Sequence, residues 1–79
     1  MSDYRKSFRI TITHETLGEC LAQTRNLSPT GVYVQHPELS ALAKGAVVYG
    51  QVQGLPNGAP RVRMEVIGVD ADGITLKYL

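Results

Sequence analysis

The stretch PRVRMEVIGVDADGITLKYL (residues 60–79) predicts two β-strands joined by a tight turn. Apolar side chains recur at every second position in residues 60–69 and again in residues 74–79, which is the period of strands with one buried face. The alternation changes phase near Gly68, which indicates a β-bulge or a bend at a barrel corner. The intervening DADG (residues 70–73) is a typical hairpin turn.

The rest of the chain repeats this pattern of short alternating segments. Strands are predicted over residues 8–13, 18–27, 32–35, 46–55, 60–69 and 74–79. A second strong hairpin turn is predicted at PNG (residues 56–58), between the fourth and fifth strands.

One segment, residues 36–45, favours a helix. Pro37 suits the first helical position, and Lys44 followed by Gly45 is a typical end. Such a short segment supports at most one short helical turn near residues 37–44. The predicted fold is therefore all-β, a small six-stranded antiparallel barrel without a C-terminal helix. A closed barrel is favoured over an open sheet because closure removes strand edges that would otherwise aggregate.

Length and composition predict a single small domain over residues 1–79. Cys20 is the only cysteine, so no intramolecular disulfide can form and the protein is expected to be cytoplasmic. Cys20 itself is interpreted as a small buried hydrophobe in a strand. No apolar run approaches the ~20 residues of a membrane span. The net charge of +1 disfavours a whole-molecule attraction to nucleic acid or membrane.

The sequence lacks the usual catalytic constellations, and no catalytic residue, metal site or cofactor is predicted. It contains no Cys-x-x-Cys, P-loop, G-x-S-x-G or G-x-G-x-x-G motif. His14 and His36 are far apart and are interpreted as loop or surface histidines. Side chains fill the interior of so small a barrel, which also argues against an enzyme.

Two stretches require more than a packing explanation. YRKSFRITI (residues 4–12) places Arg5, Lys6 and Arg9 at the start of a strand, where like charges repel unless they are solvated or meet an anion. NLSPTG (residues 26–31) follows another strand. Its Asn and Ser can bond the local backbone, and its Gly permits a positive φ, so read alone it is a capped turn.

Together, these stretches fit R-x-x-x-R and [D/N]-x-S-x-x-G, in that order, on a predicted six-stranded barrel. The combination resembles the PilZ domain family, and the resemblance covers most of the chain. It implies binding of cyclic di-GMP, a bacterial second messenger, on the outside of the barrel. The residues that match the family motifs are Arg5, Arg9, Asn26, Ser28 and Gly31, and Lys6 adds a nearby charge.

The resemblance agrees with the chemistry of these side chains. An arginine fork matches phosphate oxygens or the O6/N7 edge of guanine, and Asn26 and Ser28 offer hydrogen bonds to either group. The hypothesis that follows is that residues 1–7 are mobile in the free protein and become ordered over the ligand. The expected output is a signal relayed to an unknown protein partner.

Other interpretations stay open at this point. A PilZ-like module that has lost nucleotide binding would act as a protein adaptor, and the lack of a C-terminal helix leaves room for a partner or a homodimer. A small barrel that binds RNA or single-stranded DNA is disfavoured, because the surface lacks clustered aromatics and excess positive charge. Whether Tyr4 contacts the ligand stays open, while Arg25 is expected on the face opposite Asn26, towards solvent.

Overall fold

The computed structural model describes residues 8–79, which form six β-strands and one 3-10 helix. The strands are β1 (Arg9–His14), β2 (Gly18–Arg25), β3 (Gly31–Gln35), β4 (Val47–Val52), β5 (Val62–Val69) and β6 (Gly73–Tyr78), and the 3-10 helix spans Pro37–Ala41. All neighbouring strands are antiparallel, in the order β1-β2-β3-β6-β5-β4, and β1 pairs with β4 to close a barrel. The prediction of an all-β, six-stranded antiparallel barrel is confirmed.

The helical content also agrees with the sequence. Within residues 8–79 the 3-10 helix is the only helical segment, so no C-terminal helix follows β6 in this part of the chain. The described residues contain no helix with the length and hydropathy needed to span a membrane.

Two predicted strand ends are wrong. The second strand ends at Arg25 rather than at residue 27, because Asn26 adopts a positive φ of 52° and leaves the extended conformation. The fourth strand ends at Val52, and residues 53–61 form a long connection to β5. The turn predicted at residues 56–58 lies inside this loop, where the Gly58 N–H donates to the Leu55 carbonyl at 3.0 Å.

The β5–β6 hairpin forms as predicted. Its register shifts between Val66 and Gly68, which is the expected bulge. In the turn, Asp70 Oδ1 accepts hydrogen bonds from the backbone N–H groups of Asp72 (2.8 Å) and Gly73 (2.9 Å). This carboxylate therefore fixes the turn that the sequence pattern indicated.

Alternate residues of the strands fill the interior, together with two leucines from the 3-10 helix segment. The buried apolar residues are Ile10, Ile12, Ala22, Val32, Val34, Leu39, Leu42, Val48, Met64, Val66, Ile74 and Leu76. Cys20 is only partly buried and packs against this core. The two leucines close one end of the barrel, which we call the closed end.

The opposite end holds an apolar pocket of about 460 Å³, which we call the mouth. Strand starts and ends line it, including Phe8, Val52, Val62 and Tyr78. The hydroxyl of Thr24, the one buried polar side chain among the described residues, accepts from the Phe8 N–H at 2.9 Å. The mouth is therefore a hydrophobic opening whose one buried polar group already has a partner.

Candidate functional site

The connection between β2 and β3 (residues 26–30) forms a sharp corner at the mouth end of the barrel. Asn26 begins this corner with a φ of 52°, the only positive φ at a non-glycine residue in the described part of the chain. Asparagine tolerates this left-handed conformation better than most residues, because its short polar side chain can hydrogen-bond locally. The Asn of the motif therefore turns the chain out of β2.

Ser28 holds the other side of the corner. Its Oγ accepts from the backbone N–H groups of Thr30 (3.3 Å) and Gly31 (3.2 Å), and its hydroxyl donates to the Gly31 carbonyl at 3.1 Å. The Ser28 N–H also donates to that carbonyl, at 2.9 Å. The predicted capping role of Ser28 is confirmed, while its exposure leaves the hydroxyl accessible from solvent.

Gly31 is needed for a reason other than the one predicted. The expectation that it permits a positive φ is wrong, since it is the first residue of β3 and is not among the residues with positive φ. A Cβ at Gly31 would overlap the backbone carbonyl of Leu76 on β6. The glycine therefore allows two strand backbones to approach each other at the corner.

Arg9 lies on the β1 side of the corner. It is exposed on the outer face of the barrel and pairs with Gln23 in the β1–β2 ladder. Gln23 lies two residues before the end of β2, and the corner begins directly after that strand. The structure therefore brings Arg9 to the same end of the barrel as Asn26, Ser28 and Gly31, while Arg5 and Lys6 lie outside the described residues.

A groove of about 370 Å³ lies on the β3 side of the corner, away from Arg9 and β1, over the outer faces of β3 and β6. The strand register places Gly31 opposite Lys77 and Tyr33 opposite Thr75 in this groove. The groove is lined by Asn26, Ser28, Thr30, Gly31, Val32, Tyr33, Ile67, Thr75, Leu76 and Lys77. It combines hydroxyl groups, an amide, an exposed ammonium group and apolar surface, which suits a ligand with both rings and charges.

Sequence reasoning missed Lys77, Thr75 and Ile67 as members of this groove. β3 pairs with β6, which lies about forty residues further along the chain, and no local pattern reveals that pairing. The available signal was the alternation of β6, which predicts that Thr75 and Lys77 face outwards.

A second, smaller depression of about 230 Å³ adjoins the corner and is lined by Arg25, Asn26, Tyr33, Gln35 and Asp72. Arg25 Nη1 donates to Gln35 Oε1 at 2.6 Å. Arg25 is exposed as predicted, but the expectation that it lies on the face opposite Asn26 is wrong. Strand alternation ends at Arg25, so the turned Asn26 shares a surface with it.

Tyr33 lines both depressions and is held in place by an acidic neighbour. Its hydroxyl donates to Asp70 Oδ1 at 2.8 Å. This hydrogen bond is the largest cause of the raised pKa of Tyr33 and of the lowered pKa of Asp70. The carboxylates of Asp70 and Asp72 lie at the β5–β6 turn, at the end of the barrel away from the corner. The cations Arg9, Arg25 and Lys77 lie towards the corner. Glu65 lies opposite Lys77 in the β5–β6 ladder and offsets part of that positive charge.

No protein-family model matches this chain, and no curated protein is significantly similar to it. The likeness to the PilZ family therefore depends on the two motifs and on the barrel that carries them.

Proposed function

We propose that this protein is a cytoplasmic bacterial receptor for cyclic di-GMP that relays the signal to a protein partner. The observation that carries the proposal is that Arg9, the first residue of β1, lies at the same end of the barrel as the corner formed by Asn26, Ser28 and Gly31. Arg9 and Asn26 are seventeen residues apart in sequence, yet both lie at this end of the barrel, where a groove of about 370 Å³ adjoins the corner.

Each part of the site has a matching group on the ligand, which carries two phosphates and two guanines. The Arg9 guanidinium offers a planar fork to a phosphate or to a guanine edge, and Asn26 and Ser28 offer short hydrogen-bonding groups. Lys77 adds a charge on the groove side of the corner. Arg5 and Lys6 are proposed as further cations from the N-terminal segment.

The test is titration calorimetry with cyclic di-GMP, with GTP as the competing nucleotide. Arg9→Ala is the decisive variant, because the exposed Arg9 side chain is not part of the core and its loss should leave the fold intact. Hydrogen bonds to charged groups contribute about 1.5–3 kcal/mol, so we expect binding to weaken about 10- to 100-fold. Arg63→Ala is the matched control, since Arg63 is an exposed arginine on β5, a strand that pairs with neither of the two strands joined by the corner.

Equal losses in Arg9→Ala and Arg63→Ala would indicate a general effect of charge and would contradict the assigned site. The absence of binding by the folded wild-type protein would overturn the proposal. Circular dichroism on each variant separates loss of binding from loss of fold.

The mouth favours a second candidate function, a protein-interaction module that binds its partner without nucleotide. The rim of the mouth exposes Leu27 (55% exposed) and Leu55 (44% exposed) beside an apolar pocket of about 460 Å³. Exposed apolar surface of this kind marks interaction sites in soluble proteins. A partner or a second copy of the chain could cover it.

Sedimentation velocity over a range of concentrations tests self-association through the mouth, with Leu55→Ser as the variant that should weaken it. Leu21→Ser is the control, because Leu21 is similarly exposed but lies on the outer face of β2, outside the mouth. Association that is lost only in Leu55→Ser, together with no nucleotide binding, would favour this second function.

A further inference from the structure

Three side chains with metal-binding chemistry meet at the closed end of the barrel. The Cys20 thiol, one ring nitrogen of His36 and a carboxylate oxygen of Glu38 all lie within 4.8 Å of one another. Cys20 belongs to β2, His36 caps the 3-10 helix, and Glu38 lies in its first turn. Folding alone brings the cysteine and the histidine together, and no sequence spacing predicts this cluster.

We infer that Cys20, His36 and Glu38 form a binding site for Zn²⁺. Thiolate and imidazole are the ligands that favour zinc over the hard cations Mg²⁺ and Ca²⁺, which prefer oxygen. A carboxylate is a common third ligand, and three protein ligands leave the fourth tetrahedral position for water. The site is separate from the proposed nucleotide site at the opposite end of the barrel, and the inference does not depend on it.

The backbone that carries the ligands is held before any metal arrives. Cys20 is paired with Ile12 in the β1–β2 ladder. The His36 N–H donates to the Asp72 carbonyl at 2.9 Å, and the ring of Pro37 fixes its own φ and restricts the backbone of His36. The metal therefore meets two segments whose separation is already set, which reduces the ordering that binding requires.

Zinc must compete with one existing hydrogen bond. His36 Nδ1 accepts from the Glu38 N–H at 3.2 Å and so caps the 3-10 helix. Metal at Nδ1 displaces this bond directly, and metal at Nε2 requires the ring proton to sit on Nδ1, which also breaks it. Loss of an N-cap typically lowers the folding equilibrium constant about fivefold. Zinc sites with thiolate ligands have binding constants of many orders of magnitude, so the lost hydrogen bond is a small cost by comparison.

The first test uses Co²⁺ as a spectroscopic probe for Zn²⁺ on the reduced protein. We expect a thiolate-to-cobalt charge-transfer band and the strong visible bands of tetrahedral cobalt, both abolished by an equivalent of Zn²⁺ and not by excess Mg²⁺. Cys20→Ser, His36→Ala and Glu38→Gln should each weaken binding at least tenfold. His14→Ala is the control, because His14 is the other turn-capping histidine and lies outside the cluster.

The second test is thermal stability, since zinc would join the 3-10 helix to β2. Zn²⁺ at a hundredfold excess over its Kd should raise the Tm of a domain of this size by about 10–20 °C in the wild type and in His14→Ala, but not in the three cluster variants. The absence of cobalt bands, or an unchanged Tm with saturating zinc, would overturn the inference. Bands that disappear in Cys20→Ser yet persist at full affinity in His36→Ala and Glu38→Gln would also overturn it, because they would indicate a thiol acting alone.

Discussion

At the scale of single residues, the corner at residues 26–31 divides its tasks in a way that the motif does not reveal. Asn26 supplies the left-handed turn, and Gly31 supplies space for the carbonyl of Leu76. Both residues were identified from the sequence, because their types are characteristic of turns. Their separate roles were not predictable, since they depend on the pairing of β3 with β6.

Replacement of Gly31 should therefore destabilise the fold through steric overlap. We expect Gly31→Ala to lower the free energy of unfolding by about 1–3 kcal/mol, the usual range for overpacking. Gly68→Ala is the matched control, because a Cβ there would lie 3.5 Å from Thr75, an ordinary contact. Urea denaturation measures both variants, and equal stabilities would contradict the steric role of Gly31.

The Tyr33–Asp70 hydrogen bond predicts a pH-dependent contribution to stability. Because this bond lowers the pKa of Asp70 in the folded state, its contribution is present above the ordinary pKa of about 3.9 and is lost as pH falls through the folded-state pKa. The difference in free energy of unfolding between wild type and Asp70→Asn should therefore shrink below about pH 4.

Denaturant unfolding at several pH values between neutral and acid provides this measurement. Asp72→Asn is the control for removing one carboxylate from the same turn, because Asp72 contributes its backbone N–H rather than its side chain to the Asp70 bonds. A difference for Asp70→Asn that stays constant over the acid range would contradict the assigned role of the carboxylate.

At the scale of elements, the 3-10 helix acts as a plug rather than as a surface turn. Leu39 at its centre is 1% exposed and belongs to the same core as the strands. The sequence predicted the position of this helix from Pro37 at its start and from Lys44 and Gly45 at its end. Its burial depended on the end of the barrel over which it folds, and no periodicity in five residues indicates that.

Loss of this plug should be costly. Leu39→Ala should lower the free energy of unfolding by about 2–5 kcal/mol, since it leaves a cavity in a small core. Leu21→Ala removes the same atoms from a side chain that is 54% exposed on the outer face of β2, and its effect should stay within about 0.5 kcal/mol. Similar losses for the two variants in urea denaturation would show that Leu39 is not part of the cooperative core.

The strands themselves were largely predictable, because alternation with a period of two depends only on which face is buried. The ends of β2 and β4 were not, since the positive φ of Asn26 and the long connection at residues 53–61 interrupt sequences that still alternate weakly. For the candidate site, the sequence provided Arg9 and the corner. The groove residues of β6 required knowledge of a pairing between distant strands.

At the scale of the whole molecule, the two ends of the barrel differ. One is filled by Leu39 and Leu42, and the other is the apolar mouth beside the corner. Closure gives each strand two neighbours, so local opening should concentrate in the connections and not at a sheet edge. The longest connection without a helical segment is the loop at residues 53–61.

Limited proteolysis should therefore begin in that loop. Within residues 8–79, we expect trypsin to cut first after Arg61, which ends the loop, and much later after Arg25, which lies in β2 and bonds to Gln35. Mass spectrometry of the first fragments measures this order. Early cleavage after Arg25 would indicate that β2 opens more readily than a closed barrel allows.

The strand order also governs the time at which this protein can fold. β6 lies between β3 and β5, so the barrel has a gap between these two strands until the last of the six strands has left the ribosome. β1, made first, must wait for β4 before it gains its second neighbour. Contacts between such distant segments slow folding, because the chain loses much of its freedom before they form. A nascent chain of this protein therefore cannot close its barrel before β6 emerges.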